Sequence, residues 1–123
     1  MGLVATTWEV PEYGLFDVGL SHSFNMGPFE AILNGTCNYI LDQMASNDMP
    51  FDDALSSAKE LGYAEADPTF DINGMDAAHK ISILSSLVYK IKSPLQKTYV
   101  QGIEDITSMD IKFASELGYC IKH

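Results

Sequence analysis

Between two stretches of clear helical period lies a run, residues 63–74, that neither a helix nor a central strand can absorb. It holds Pro68, Gly74 and the polar side chains Glu65, Asp67, Asp71 and Asn73. Proline inside a helix removes a backbone donor and clashes with the preceding turn, and in sheets it is confined to edges and bulges. The chain must therefore end one helix, cross a carboxylate-rich loop and begin another. The loop is delivered to the N-terminus of the following helix, where the dipole favours negative charge.

The helices on either side are read from apolar spacing and end signals. Asn34-Gly35-Thr36 is a turn that opens a helix on which Tyr39, Ile40 and Met44 fall at helical spacing, closed by Asn47-Asp48. Asp52 and Asp53 sit in the first turn of a second helix with the stripe Ala54, Leu55, Ala58, Leu61 and with Gly62 at its C-terminal end. A third is expected from about Met75 to Tyr89, its core face made by Ala78, Ile81, Leu84, Ser85 and Val88. Residues 99–106 read as a strand, and Thr107-Ser108-Met109-Asp110 as a capping box, with Asp in place of Glu, opening a helix that ends at Leu117-Gly118. Residues 119–122 begin another strand. The N-terminal third is less legible, with a loose strand over 4–10 and loop over 19–28. Good helices and few strands without βαβ alternation predict a single-domain α+β fold, its helices packed on a mostly antiparallel or mixed sheet.

Composition bounds the function. The 123 residues suit one domain, not a nucleotide-binding domain and a separate substrate domain together. Seven Lys and Arg against 17 Asp and Glu give a net charge of −10, which disfavours nucleic-acid and membrane-surface partners. No apolar run has the length of a membrane span, and nothing at the N-terminus resembles a signal peptide, so a cytoplasmic location is expected. The myristoylation pattern at Met1-Gly2 and the sequon at Asn34-Gly35-Thr36 are discounted, for want of a polybasic segment and a secretory signal. Cys37 and Cys120 fit no metal pattern and are expected as buried or half-buried thiols. The remaining methionines of note, Met26, Met44, Met49, Met75 and Met109, are expected in the core. His22 is assigned no role.

Chemistry concentrates in Glu65, Asp67, Asp71, Asp76, His79 and Lys80. On the third helix Asp76 and Lys80 are i,i+4 and Asp76 and His79 i,i+3, so the three share a face. One cation among acids suits a small zwitterion, the acids taking an ammonium group and Lys80 an oxygen. The same spacing also describes an exposed ion pair beside a solvated loop. Acid count alone suggests Mg²⁺ or Ca²⁺, but EF-hand spacing is missing and no metal site is expected. Neither GxGxxG nor GxxxxGK[ST] occurs, so no cofactor-binding residue is assigned.

The run from Leu61 to Lys80, LGYAEADPTFDINGMDAAHK, closely resembles the signature of homoserine dehydrogenases. ILNGTCNYI from Ile32, FDDAL from Phe51, GIEDI from Gly102 and ELGY from Glu116 are similar to that family as well. The resemblance covers about residues 30–123. It implies a substrate and dimerisation domain over 31–123 behind a divergent segment, 1–30, in which the family's glycine- and proline-rich approach with its monovalent-cation site is not recognisable. It implies reduction of aspartate semialdehyde to homoserine with NAD(P)H, on the route to threonine and methionine. Lys80 would be the acid–base group at the substrate oxygen and Asp76 the partner of the substrate hydroxyl. Glu65 would bind the substrate amino group, and Tyr63, Thr36, Asp71 and the Asn34–Gly35 turn would line the pocket. The family's Rossmann domain and its second active-site lysine have no counterpart here. The resemblance therefore implies a truncated catalytic domain, a homodimer with NAD(P) only where a cofactor domain is supplied. The alternative is a stand-alone binding or assembly module without redox activity.

Overall fold

Helix α1 (Gly35–Asn47) starts where Asn34 leaves the extended conformation and caps the first turn, its side-chain oxygen accepting from the Cys37 N–H. In the computed structural model, residues 31–89, 92 and 95–123 are described, together with the backbone of four short strands before them. These are β1 (Gly2–Val4), β2 (Thr6–Thr7), β3 (Leu15–Asp17) and β4 (Ser23–Asn25). After α1 come α2 (Phe51–Glu60), α3 (Thr69–Ile72), α4 (Met75–Tyr89), a 3-10 turn at Leu95–Lys97, β5 (Tyr99–Val100), α5 (Ser108–Glu116) and β6 (Cys120–Lys122).

The strands pair only two by two. β1 runs parallel to β6, with Leu3 opposite Ile121, while β2 pairs antiparallel with β5 and β3 with β4. Among the described residues no broader sheet forms on which the helices could pack, a difference from the expected arrangement. Strands of two or three residues present too little surface, and a two-stranded pair is marginal alone. The core lies between helices instead. Cys37, Ile40, Leu41 and Met44 of α1 meet Ala54 and Ala58 of α2, and Ala64, Ile72 and Ile103 close the cluster. Each fully buried Ile or Leu there contributes about 1.5–3 kcal/mol of transfer free energy.

Several expectations are corrected. The loop 63–74 contains α3, a single helical turn too short to leave a period. The strand expected over 99–106 stops at Val100, because Gly102 is pressed against the backbone of Ile72 and Asn73 and the Ile103 N–H donates to the Ile72 carbonyl at 2.8 Å. That hydrogen bond replaces a ladder. On α4 the buried face is Ala77, Ala78, Ser82, Ser85 and Tyr89, so Ala78 and Ser85 lie as expected while Ile81, Leu84 and Val88 are half-buried. Leu61, Met109 and Cys120 are exposed. The strand expected over 4–10 appears as the end of β1 and as β2, and β4 interrupts the loop expected over 19–28. The rest of both segments, with His22 and Met26, lies outside the described residues.

The end of α2 matters for the site. Gly62 takes a left-handed φ of 79°, Gly62 N–H donates to Lys59 and Tyr63 N–H to Ala58, closing the helix in a Schellman turn. The turn throws Tyr63 back toward α1.

Candidate functional site

Four of the residues singled out in the sequence meet in one hydrogen-bonded network drawn from three elements. Asn34, at the start of α1, is 2% exposed. Its Nδ2 donates to Asp71 Oδ1 at 2.7 Å and to Asp76 Oδ2 at 2.8 Å. Asp71 comes from α3 and Asp76 from the first turn of α4, whose opening N–H, on Met75, is capped by Asn73 Oδ1 at 2.9 Å. One turn on, Lys80 Nζ donates to Asp76 Oδ2 at 2.6 Å and to the Leu33 carbonyl at 3.0 Å. Among the described residues the ammonium thus has one N–H bond left, with 48% of its side chain open to solvent. An i,i+4 pair alone is worth little. Here the shared carboxylate also ties α4 to α1.

Burial works to raise the Asp76 carboxyl, but hydrogen bonds from Lys80 and Asn34, with the charges of Lys80 and His123, outweigh it and hold it below its ordinary range. Asp76 is therefore an ionised acceptor at neutral pH. Beneath it Cys37 Sγ donates to the Asp71 carbonyl at 3.2 Å. Burial, then the charges of Asp71 and Asp76, push this thiol up to about 12. It is a neutral packing group and not a nucleophile.

A second contact lies on the same end of α1. Thr36 Oγ1 donates to the Tyr63 carbonyl at 2.6 Å, and the Tyr63 ring stacks on Tyr39 with centroids 4.5 Å apart. Gly35 lies between the two contacts, exposed, with open space where a side chain would stand. Glu65 is exposed and hydrogen-bonds to no described residue. Asp67 is drawn into its own turn, accepting from Thr69 Oγ1 at 2.6 Å. His79 turns away, its ring tilted against Phe70 at 5.5 Å.

Sequence reasoning missed Asn38 and His123. Asn38 Nδ2 donates to the His123 carbonyl at 2.6 Å and to the Asn34 carbonyl at 2.7 Å, binding the end of β6 to the start of α1. The His123 ring is 3% exposed and its nitrogens find no well-aligned partner. Burial lowers its pKa, against the opposing pull of the nearby Gln101 backbone and of the Asp76 and Asp71 charges. A contact between positions so distant in sequence leaves no local signal. Among the described residues no group of His, Cys, Asp and Glu is arranged to hold a metal ion, and no helix is long and apolar enough to cross a membrane.

Comparison with known proteins gives consistent matches. The family model described as homoserine dehydrogenase matches residues 21–123. Homoserine dehydrogenase of Helicobacter pylori is 55% identical over 94 residues, which is 76% of this chain and 22% of that protein. That of Bacillus subtilis is 41% identical over 113 residues, 92% of this chain and 26% of the relative. The crystal structure of S. aureus homoserine dehydrogenase at pH 7.5 superposes with a TM-score of 0.72 at 47% identity, covering 74% of this chain and 23% of that one. The chain spans about a fifth to a quarter of the length of these relatives.

Proposed function

Since the chain belongs to the homoserine dehydrogenase family, we propose that it carries a pocket for aspartate semialdehyde and homoserine centred on Lys80 and Asp76. The observation that carries this reading is the network joining Asn34, Asp71, Asp76 and Lys80 from three elements. Reduction of an aldehyde leaves an alkoxide that must be protonated or stabilised as it forms. The uncommitted N–H of Lys80 serves that oxygen. Asp76 Oδ1, which accepts from no described residue, takes the product hydroxyl. Glu65, exposed and without a partner among the described residues, takes the amino group, and Tyr63, Thr36, Gly35 and Asp71 form the walls.

The described residues do not fit NAD(P). A pyrophosphate is normally cradled by a glycine-rich loop at an open helix N-terminus. In this chain Asn34 and Thr107 cap the first turns of α1 and α5, while Asp52 and Asp53 set negative charge at the start of α2. Hydride transfer by the family's chemistry therefore calls on a cofactor domain outside these 123 residues. In this reading the boundary falls near residue 30, residues 31–123 form one α+β domain, and two copies associate in the cytoplasm.

Calorimetry with homoserine tests the pocket. The chain binds it, and Lys80→Ala and Asp76→Asn each weaken binding at least about tenfold, the scale of one charge-assisted hydrogen bond. NADPH oxidation with aspartate semialdehyde is expected only when a relative's Rossmann domain is added. Absence of homoserine binding by the folded chain would refute the pocket, and turnover by the chain alone would refute the missing cofactor site.

A further inference from the structure

The side chain of Asn34 is fully committed. Its Oδ1 accepts from the Cys37 N–H at 2.8 Å, and its two N–H bonds go to Asp71 Oδ1 and Asp76 Oδ2. The amide can stand only one way round, because the helix N–H needs an acceptor and the two carboxylates need donors. At 2% exposure no face of it remains for a ligand. Two carboxylates brought to one site normally repel, and one of them takes up a proton. A single primary amide between them removes that conflict without adding charge. It also decides which oxygens are left over. Asp76 Oδ2 is occupied by Asn34 and Lys80, and Asp71 Oδ1 by Asn34, so among the described residues Asp76 Oδ1 and Asp71 Oδ2 are the ones left over.

We infer that Asn34 is a positioning residue: it touches no ligand, and its amide fixes Asp71 and Asp76 side by side so that one oxygen of each is aimed outward. Its part in substrate recognition rests on the proposed homoserine pocket; its hold on the two carboxylates does not. Other charged or titratable groups also face the pair. Lys80 faces it from α4, Cys37 lies beneath it on α1, and His123 approaches from the end of β6.

The test compares the native chain with Asn34→Asp and Asn34→Ser. Both variants keep an oxygen to cap α1, which protection of the Cys37 amide from hydrogen exchange verifies, and both lose the paired donors. Carboxyl ¹³C shifts of Asp71 and Asp76 are followed through a pH titration, with homoserine binding measured by calorimetry in parallel. The titration midpoint of Asp76, which the Asn34 hydrogen bond helps to hold down, rises by about one pH unit or more in both variants. Should Asn34→Asp not fold, the titration of Asn34→Ser decides alone. Carboxyl titrations matching the native chain would overturn the inference, and if homoserine binding were nevertheless lost, Asn34 would be a direct ligand contact. A native chain that ignores homoserine, combined with shifted titrations in the variants, would refute the pocket while upholding the positioning role.

Discussion

Replacing Gly102 with Ala should damage both the fold and the site, and the size of the effect follows from the contact between segments 72–73 and 101–103. A Cβ on Gly102 would overlap the Ile72 carbonyl oxygen and stand 2.6 Å from Asn73 Cα and 2.7 Å from Asn73 C, against ordinary contacts of 3.4–4 Å. All three atoms are backbone, so no side chain can swing away. The two segments must part by about 1 Å, and the hydrogen bond from Ile103 N–H to Ile72, 2.8 Å long, is stretched or broken. Overpacking of this kind costs ~1–3 kcal/mol, and an unsatisfied buried donor costs a further ~1–3 kcal/mol. A combined loss of about 3 kcal/mol lowers the melting temperature by roughly 10–20 °C in a domain of this size. Because segment 72–73 lies between Asp71 and Asp76, homoserine binding should fall even where the variant is folded. Urea and thermal unfolding followed by far-UV circular dichroism measure the loss. Gly35→Ala, where the added methyl meets open space, is the control and should leave the melting temperature level or slightly raised. A Gly102→Ala variant melting within about two degrees of the native chain would refute the argument from backbone contact.

Thr107→Ala removes the capping box in which Thr107 and Asp110 satisfy each other's backbone N–H groups, and should cost about 1 kcal/mol in urea unfolding, with Thr107→Ser restoring most of it. On the acid side, His123 has a folded pKa below its unfolded value of 6.5, so its contribution is present above 6.5 and is lost as pH falls from there toward the folded value. Stability should therefore decline between pH 7 and 5 in the native chain and less so in His123→Phe; equal slopes in the two would contradict it. Asp67 and Asp110 are held below their ordinary range by hydrogen bonds from Thr69 and Thr107, and Asp76 by those from Lys80 and Asn34, which outweigh burial. Their contributions are present above the unfolded carboxylate pKa and disappear as pH falls through the folded values, giving a second decline below about pH 4 that an acid titration of the ellipticity would show.

How much of this was legible depended on whether the decisive interaction was local. The cap of α5 was readable because Thr107 and Asp110 are three residues apart, and α1 because Asn34 caps its own first turn. The face of α4 was only partly read because large apolar residues, Ile81, Ile83, Leu84, Leu87 and Val88, lie on more than one side of its second half. Packing then selected the small residues Ala77, Ala78, Ser82 and Ser85 for the buried side, leaving Ile83 and Leu87 exposed. The expected strand over 99–106 had the right composition, but the approach of Gly102 to another segment overrode it. Helical spacing alone paired Asp76 with Lys80. Asp71 entered the site because the carboxylate-rich loop runs directly into α4, whereas adding Asn34 came from resemblance to a family, since nothing local ties it to α4. The clasp of Asn38 on His123 was invisible to both.

The sealed thiol beneath the network makes the chain its own gauge of how often the site comes apart. Cys120 is exposed and Cys37 is not, so a small alkylating reagent reaches the first without any opening of the fold. The second label waits for α1 and α3 to separate. Its rate, set against that of Cys120, counts openings of this one region and not of the whole molecule. A ligand seated on Asp71 and Asp76 would slow that clock, and mass spectrometry could read it without an activity assay.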